Sequence, residues 1–142
     1  MEYTDVLPLN PMPVTSLFNK SYEKLYKWQY FNPIQTQLFH ALYHRDENIL
    51  VGAPTGSGKT ILAELAVYRI FSKPEKQKII YVAPMKALAK ERLKDWKSRF
   101  GKILGKSILE LTGDYTPDLR ALCNADILIT TPEKWDGISR NW

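Results

Sequence analysis

Short apolar runs alternate with amphipathic segments along most of this chain, and the alternation predicts strands and helices in turn. Four runs share this apolar character: "NILVG" at 48–52, "KIIYVAP" at 78–84, "SILELTG" at 107–113 and "ADILITTP" at 125–132. Helical patterns follow the runs, beginning near Lys59, Lys86, Thr116 and Pro132. Because the runs lack an internal polar alternation, they fit parallel strands of a sheet that is covered on both faces. The predicted fold class is therefore α/β.

A further helix is predicted ahead of the first run, in "FNPIQTQLFHALYH" at 31–44. Asn32 suits the N-cap of this helix and Pro33 its first helical position. One face is apolar, formed by Ile34, Leu38, Ala41 and Leu42. Upstream, prolines at 8, 11 and 13 fall among short apolar steps. This pattern predicts an extended N-terminal lead-in over residues 1–30 and a folded domain over residues 31–142.

The composition is that of one globular domain with a basic charge balance. The 142 residues are 44% hydrophobic and 25% charged, and 20 Lys and Arg against 15 Asp and Glu give a net charge of +5. Residues 86–106 alone carry eight basic and two acidic side chains. This local excess suggests a polyanionic partner. A solvated helix face remains the simpler interpretation of any single lysine within it.

Cysteine content and hydropathy predict an intracellular protein. The single cysteine, Cys123, excludes an intramolecular disulfide, and residues 1–5 lack the basic and then apolar layout of a secretion signal. No apolar run approaches the ~18 residues that cross a bilayer, so no membrane role is predicted. His40 and His44 stand four positions apart without Cys or Asp to complete a ligand set, which favours solvent or packing roles over a metal site.

The segment after the first apolar run has the pattern of a phosphate-binding loop. It reads Ala53-Pro54-Thr55-Gly56-Ser57-Gly58-Lys59-Thr60, which fits G-x-x-x-x-G-K-[ST] except that Ala53 replaces the first glycine. Gly56 and Gly58 allow backbone angles at which successive N–H groups point at an anion. Lys59 is predicted to reach the β and γ phosphates of ATP, and the Thr60 hydroxyl to ligate Mg²⁺. The alternative is a glycine-rich turn followed by a surface lysine.

The loops that follow the four runs are predicted to lie along one edge of the sheet. In open parallel sheets, ligands gather outside the carboxyl ends of the strands. Those ends carry "GAPTGSGKT", "APMKAL", "TGD" and "TTPEKW". We therefore expect the chemistry of the protein along this edge.

Segments on both sides of the phosphate loop resemble the motifs of a helicase family. "FNPIQTQ", "APMKALAKERLKDW", "LTGD" and "TTPEKWDGISRNW" are similar in order and spacing to the motifs of superfamily 2 helicases, in the superkiller-type DExH branch. The resemblance runs from about residue 7 to Trp142, and Ala53 is usual in that branch. It implies a RecA-like P-loop domain, with a parallel sheet flanked by helices. Residues 31–142 would be the N-terminal part of the first such domain, truncated before the D-E-x-H strand.

The resemblance implies a nucleotide site built around the loop. Gln35 falls where the family reads adenine, and an amide can pair with two positions on that base edge. A capping box with Asn32 is the alternative role for Gln35. Phe31 either contacts the base or serves as a hydrophobic staple. The implied nucleotide-binding residues are Phe31, Gln35, Pro54, Thr55, Gly56, Ser57, Gly58, Lys59 and Thr60.

Three later loops are implied to contact the backbone of a bound RNA or DNA strand. Their residues are Pro84, Met85, Lys86 and Arg92, then Thr112, Gly113 and Asp114, then Thr131, Pro132, Glu133 and Lys134. Plainer alternatives exist, since "TGD" is a common turn and Thr131 with Pro132 fits an ordinary helix start. Backbone contacts carry no sequence code, so we expect binding without strong base preference.

The activity implied by the resemblance is ATP-driven unwinding in the 3′-to-5′ direction, with ATP and Mg²⁺ as cofactors. The chain contains no D-E-x-H motif, and it is interpreted as a fragment that binds the phosphates of a nucleotide without hydrolysing ATP. The implied partners are single-stranded RNA or DNA, the second RecA-like domain of the cassette, and a multi-subunit nuclear or ribosome-associated complex. The implied location is the nucleus and/or the cytoplasm.

Two other functions stay open from the residues alone. One is a stand-alone P-loop kinase or NTPase, for which neither a lid nor a second-substrate site is apparent. The other is a catalytically silent cassette that serves as a binding scaffold. The intact "GSGKT" argues against a degenerate site.

Overall fold

Residues 10–54, 56–113 and 116–140 are described by a computed structural model of the chain. Two predicted site residues, Thr55 and Asp114, lie outside the described residues, as do residues 1–9 of the predicted lead-in. The chain divides into two units, Met1–Glu75 and Lys76–Trp142, and each is described by itself.

The first unit is built from helices. A 3₁₀ turn at Val14–Leu17 and a short helix, α1 at Lys20–Glu23, precede two longer helices, α2 at Pro33–His44 and α3 at Lys59–Phe71. Helix α2 begins as predicted, with Asn32 at its N-cap and Pro33 in its first turn. Its predicted apolar face is only half-buried, and Phe39 is its fully buried aromatic side chain.

Residues 10–30, predicted as an extended lead-in, instead contain the 3₁₀ turn and α1 and pack against α3. Leu17 and Tyr22 are buried, and the ring of Tyr22 stacks on Tyr68 of α3 with the ring centroids 4.4 Å apart. This segment has Pro13 at the N-cap of its 3₁₀ turn. Its aromatic contacts with α3 are tertiary, and proline spacing does not report them.

A buried hydrogen-bond triad joins this segment to the middle of α3. The Tyr26 hydroxyl donates to Glu64 Oε1 at 2.8 Å and lies 2.7 Å from the Tyr68 hydroxyl. Glu64 and Tyr68 are both fully buried. Burial, and after it the negative charge of Glu64, raises the pKa of Tyr26. The triad therefore holds residues 10–30 on α3 as long as the Tyr26 hydroxyl is protonated.

Alkaline pH is expected to destabilise the protein through Tyr26. In the unfolded chain a tyrosine ionises near pH ~10, whereas the folded state holds the proton of Tyr26 to higher pH. The stability that Tyr26 contributes is thus complete below about pH 10 and decreases as the pH rises above it. The measurement is the midpoint of urea unfolding as a function of pH. This midpoint should fall less steeply above pH ~10 in Tyr26→Phe, whereas Tyr30→Phe, which changes an exposed ring, should behave as the native chain does. Equal slopes for the native chain and Tyr26→Phe would contradict the triad.

The second unit is a three-stranded parallel sheet with helices on both faces. Its elements in chain order are β1 Ile79–Val82, α4 Lys86–Trp96, a π-helical turn Lys97–Gly101, α5 Lys102–Leu104, β2 Ile108–Leu111, α6 Leu119–Asn124, β3 Ile127–Thr130 and α7 Pro132–Ser139. The strand order is β1-β3-β2, and the central β3 is buried along its whole length. The α/β class and three of the four predicted strands are therefore confirmed.

Alternate rows of side chains in this sheet face different helices. Ile80 and Leu128 are register partners and pack with Leu122 of α6. One position further along β1, Tyr81 meets Trp96 of α4, with the ring centroids 5.0 Å apart. Because successive side chains of a strand point to opposite faces, these contacts show that both faces are covered.

The strand predicted at 48–52 does not form among the described residues. Leu50, expected in the interior of the sheet, is 99% exposed, and the sheet consists of β1, β2 and β3. An apolar run becomes a strand only where a neighbouring strand binds its backbone N–H and C=O groups. The prediction of a strand at residues 48–52 was therefore wrong.

The two histidines of α2 lie beside each other, with ring centroids 5.3 Å apart. Across residues 10–54, 56–113 and 116–140, there is no group of three or more His, Cys, Asp or Glu side chains that could hold a metal ion. Within the same ranges, none of the helices combines the length and the apolarity needed to cross a membrane.

Candidate nucleotide and nucleic-acid sites

In the phosphate-loop segment, residues 53–60, Gly56 and Ser57 form a turn just before α3. Gly56 and Gly58 have φ angles of 82° and 85°, in the left-handed region that favours glycine. Gly58 is the N-cap of α3, and Lys59 is the first residue of the helix. Lys59 is exposed and Thr60 is half-buried. The two glycines therefore bring the loop to a helix N-terminus, where the partial positive charge of the first turn adds to that of the lysine.

Two side-chain amides at the start of α2 hold carbonyl groups of this loop. Asn32 Nδ2 donates to the Ser57 carbonyl at 2.9 Å, and Gln35 Nε2 donates to the Gly58 carbonyl at 3.2 Å. The same two residues cap α2, since Gln35 N donates to Asn32 Oδ1 at 2.9 Å and Asn32 N donates to Gln35 Oε1 at 3.0 Å. The capping box is thus present. Contact of Gln35 with adenine stays a prediction.

Phe31 lies in the core of the first unit. It is 1% exposed, and its ring packs on Tyr26 and Phe39 with centroid distances of 5.8 Å and 5.6 Å. This burial favours the packing role of Phe31 over contact with a base.

Gly58 and Gly56 offer a matched test of the amide contacts. A Cβ on Gly58 would lie 2.5 Å from Gln35 Nε2 and 2.8 Å from Asn32 Nδ2, whereas a Cβ on Gly56 would meet nothing within 4 Å. Both glycines have positive φ, so alanine at either position is expected to cost about 1–2 kcal/mol in strain. Gly58→Ala should cost about 1 kcal/mol more, because it also displaces the two amides. Urea unfolding measures the difference, and equal losses would contradict these contacts.

Three predicted strand-contacting loops begin at one edge of the sheet in the second unit. Parallel pairing places the carboxyl ends of β1, β2 and β3 together. Ala83 N donates to the Thr130 carbonyl at 2.8 Å, and Thr130 Oγ1 donates to the Leu111 carbonyl at 2.7 Å. We call this surface the strand-end edge and define it by Pro84, Met85, Lys86, Thr112, Gly113, Pro132, Glu133 and Lys134.

Lysine side chains lie across the loops of the strand-end edge. Lys86 Nζ lies 3.6 Å from the position that a Cβ on Gly113 would take, and Gly113 has a φ of 70°. Lys134 Nζ donates to Thr116 Oγ1 at 2.8 Å. The exposed members of the edge are Pro84, Met85, Lys86, Pro132 and Glu133. The edge therefore presents ammonium groups beside accessible loop backbone.

Two other predicted strand-contacting residues, Arg92 and Thr131, are half-buried and buried, respectively. Arg92 Nη1 is 2.8 Å from Asp95 Oδ2, and the guanidinium lies over the ring of Trp96, 5.5 Å from its centroid. Thr131 is the N-cap of α7, as the plainer interpretation expected, but it is buried and its hydroxyl does not cap the helix. These placements favour structural roles for both side chains.

Helix α4 has one buried face and one basic, exposed face. Ala89 and Trp96 are fully buried, and the lysines at 86, 90, 94 and 97 are exposed. Lys90 Nζ lies 3.7 Å from Glu110 Oε1, and the Thr112 hydroxyl bonds to the same carboxylate. Sequence reasoning missed Glu110, whose one available signal was that it is the acidic residue within the apolar run of β2.

Sequence reasoning also missed two contacts in the first unit. Asn32 was expected only as a cap, and no local signal joins it to a carbonyl 25 positions along the chain. Asp46 lies 3.1 Å from Arg69 Nε and 2.9 Å from Lys73 Nζ. Hydrogen bonds from Arg69 and then Lys73 lower the pKa of Asp46.

A glycine-rich loop that leads into a helix, and a parallel sheet covered on both faces, are together the features of an α/β protein of the P-loop class. Residues 32–142 match the DEAD/DEAH box helicase family. Since this match covers most of the chain, the protein belongs to the DEAD/DEAH box helicase family.

Individual relatives agree with this family. Activating signal cointegrator 1 complex subunit 3 of Gallus gallus is 59% identical over 140 residues, which cover 99% of this chain and 6% of the relative. DExH-box ATP-dependent RNA helicase DExH14 of Arabidopsis thaliana is 64% identical over 140 residues, with the same coverage of 99% and 6%. The subunit of Danio rerio is 57% identical over 140 residues, 99% of this chain and 9% of the relative. The predicted resemblance to DExH helicases is confirmed, and the chain spans less than a tenth of these relatives' length.

The fold also resembles a solved structure. The crystal structure of DUF1998 helicase MrfA bound to DNA matches with a TM-score of 0.66 and 22% sequence identity. The match covers 89% of this chain and 18% of that one. At this level of identity, the likeness is one of fold.

Proposed function

We propose that this chain is the ATP-binding part of an ATP-dependent nucleic-acid helicase. The observation that carries the proposal is the phosphate-loop segment, in which two left-handed glycines and the amides of Asn32 and Gln35 fix the backbone directly before Lys59. Glycine backbone beside an exposed ammonium group at a helix N-terminus fits the charge of a phosphate chain. Membership of the DEAD/DEAH box helicase family supports ATP as the nucleotide.

Each loop residue has a role in this proposal. The Lys59 ammonium neutralises the β and γ phosphates, and the Thr60 hydroxyl holds Mg²⁺. Bound Mg²⁺ supplies positive charge against the phosphate oxygens. Pro54, Gly56, Ser57 and Gly58 contribute backbone, and Thr55 belongs to the same loop. Gln35 keeps its proposed second role as the residue that reads adenine.

The strand-end edge is the proposed contact with a single strand of RNA or DNA. Lys86 and Lys134 would pair with phosphates, and the backbone of Thr112, Gly113 and the neighbouring Asp114 would approach the sugar-phosphate chain. Arg92 and Thr131 would support these loops from inside. The name of the Arabidopsis relative, an RNA helicase, supports RNA as the strand. Unwinding in the 3′-to-5′ direction belongs to the same proposal, for the whole protein.

The proposed partners follow from family and relatives. A second RecA-like domain of the same cassette would complete the ATP site, since phosphoryl transfer also needs a carboxylate on magnesium and an arginine. The name of the Gallus gallus relative, a complex subunit, supports membership of a multi-subunit complex. We propose a location inside the cell, in the nucleus and/or the cytoplasm.

ATP titration of the chain tests the nucleotide site. We expect saturable binding of ATP that strengthens when Mg²⁺ is added, because Thr60 and the metal act on the same phosphates. Calorimetry or the fluorescence of an ATP analogue measures the affinity. Absence of saturable binding, with or without Mg²⁺, would overturn the proposal.

Oligonucleotide binding at several salt concentrations tests the strand-end edge. The logarithm of the affinity for single-stranded RNA or DNA should fall by roughly 0.7 per log unit of salt for each phosphate contacted. Lys86→Gln should lower this slope by about 0.7, the value for one phosphate. Lys102→Gln, on an exposed lysine of α5 outside the edge, should leave the slope unchanged. Binding that is absent or independent of salt would favour a P-loop kinase instead.

A further inference from the structure

Asn32 binds the phosphate loop in addition to capping α2. We propose that Asn32 is a positioning residue for the phosphate loop, whose amide fixes the direction in which loop N–H groups point. This inference rests on the proposed function, since it concerns the same phosphate site. It assigns to Asn32 a role beyond the helix cap that its sequence context indicates.

The geometry of the peptide unit carries the inference. A trans peptide points its C=O and its N–H in opposite directions, and no cis peptide occurs among the described residues. Asn32 binds the Ser57 carbonyl, so the Gly58 N–H of the same peptide points away from Asn32. Gln35 binds the Gly58 carbonyl, so the Lys59 N–H points away from Gln35. Two consecutive donors therefore face the side of the loop opposite to α2, where one anion can accept from both.

The side chain of Asn32 is held in the orientation that this role requires. Its Oδ1 accepts from Gln35 N at 2.9 Å, so capping fixes one end of the amide while Nδ2 donates to the Ser57 carbonyl. Ser, Thr or Asp would cap α2 about as well. Of the four residues Asn, Ser, Thr and Asp, only asparagine carries an amide N–H donor beside its capping oxygen. The choice of asparagine at this cap is thus explained by the loop rather than by the helix.

The absence of a side chain on Gly58 supports the same role. A Cβ there would lie 2.8 Å from Asn32 Nδ2, closer than real Cβ contacts allow. The Asn32 amide and the Gly58 backbone therefore occupy adjoining space, and a side chain at position 58 would displace the amide.

Substitution of Asn32 by serine tests the inference, with Asn19 as the matched control. Asn19 is the N-cap of α1, where its Oδ1 accepts from Ser21 N and Tyr22 N. Both Asn32→Ser and Asn19→Ser keep a good cap and add no charge. We expect Asn32→Ser to bind inorganic triphosphate and ATP about tenfold more weakly. In this variant a loop N–H that donates to the charged phosphate would no longer point at it. Asn19→Ser should bind both as the native chain does.

The amide resonances of Gly58 and Lys59 provide a second measurement. Addition of inorganic triphosphate to the native chain should shift both resonances, and the shifts should be smaller in Asn32→Ser. If Asn32→Ser does not fold, Asn32→Asp replaces it, because aspartate keeps the cap and removes the donor. Aspartate should weaken triphosphate binding at least as much as serine.

The outcomes separate this inference from the function on which it rests. If the native chain does not bind inorganic triphosphate, the proposed function and the inference both fail. If Lys59→Ala loses binding and Asn32→Ser keeps native affinity, the inference alone fails. A loss confined to ATP, with triphosphate bound normally, would also overturn it, because Asn32 would then act on the base.

Discussion

Lys59→Ala is expected to weaken the binding of ATP and of inorganic triphosphate by about a hundredfold, the largest effect of any single change in the loop. A charge-assisted hydrogen bond contributes roughly 1.5–3 kcal/mol, and each 1.4 kcal/mol corresponds to about a factor of ten in affinity. Lys59 is exposed at the first position of α3, so alanine there removes the ammonium group without opening a cavity. Calorimetric titration of both ligands measures the loss.

Lys27→Ala is the matched control for this experiment. Lys27 is another exposed lysine of the first unit, outside the phosphate-loop segment. Its removal changes the net charge equally and should leave both affinities unchanged. Because Lys59 is proposed to act on phosphates, the loss should be the same for ATP and for triphosphate. Native affinity in Lys59→Ala would show that the loop is a glycine-rich turn with a surface lysine.

Trp96→Ala is expected to destabilise the second unit by about 3–5 kcal/mol, as large-to-small changes of buried tryptophan do. Trp96 is 0% exposed. Its ring packs on Phe100 and Tyr81, with centroid distances of 5.3 Å and 5.0 Å, and the guanidinium of Arg92 lies 5.5 Å from its centroid. Alanine would remove contacts with the sheet, with the π-helical turn and with the arginine. Urea unfolding followed by far-UV circular dichroism measures the loss.

Trp28→Ala provides the comparison for Trp96→Ala. Trp28 is 47% exposed, so its truncation removes much less buried area and should cost a small fraction of the energy. Similar losses for the two variants would contradict the packing of α4 on the sheet.

Local signals predicted the start of α2 correctly. Asn32 followed by Pro33 marks a helix start through the hydrogen bonds and the φ angle that these residues supply themselves. Helix α6, predicted to begin near Thr116, begins at Leu119 with Asp118 at its N-cap. Apolar runs also predicted β1, β2 and β3, because each has neighbours within the chain that bind its backbone. Prediction succeeded where the cause lay within a few residues or where the partner strand lies within the chain.

Tertiary causes account for the misses. The run at 48–52 has strand composition, and composition does not supply the hydrogen-bond partner that makes a strand. Residues 10–30 look extended by their prolines, and their packing is decided by Tyr22 and Tyr26 against α3. The loop pattern located the candidate phosphate site, but the amide of Asn32 that holds it is distant in sequence.

The strand order β1-β3-β2 has a consequence for synthesis of the protein on the ribosome. Ile79 of β1 and Ile108 of β2 both pair with Ile127 of β3, the last of these three strands to leave the ribosome. Until β3 emerges, the apolar segments of β1 and β2 lack the strand to which their backbone groups hydrogen-bond in the sheet. Such nascent chains are prone to aggregate, and pairings distant in sequence form slowly. Chaperone protection during translation therefore matters most before β3 emerges.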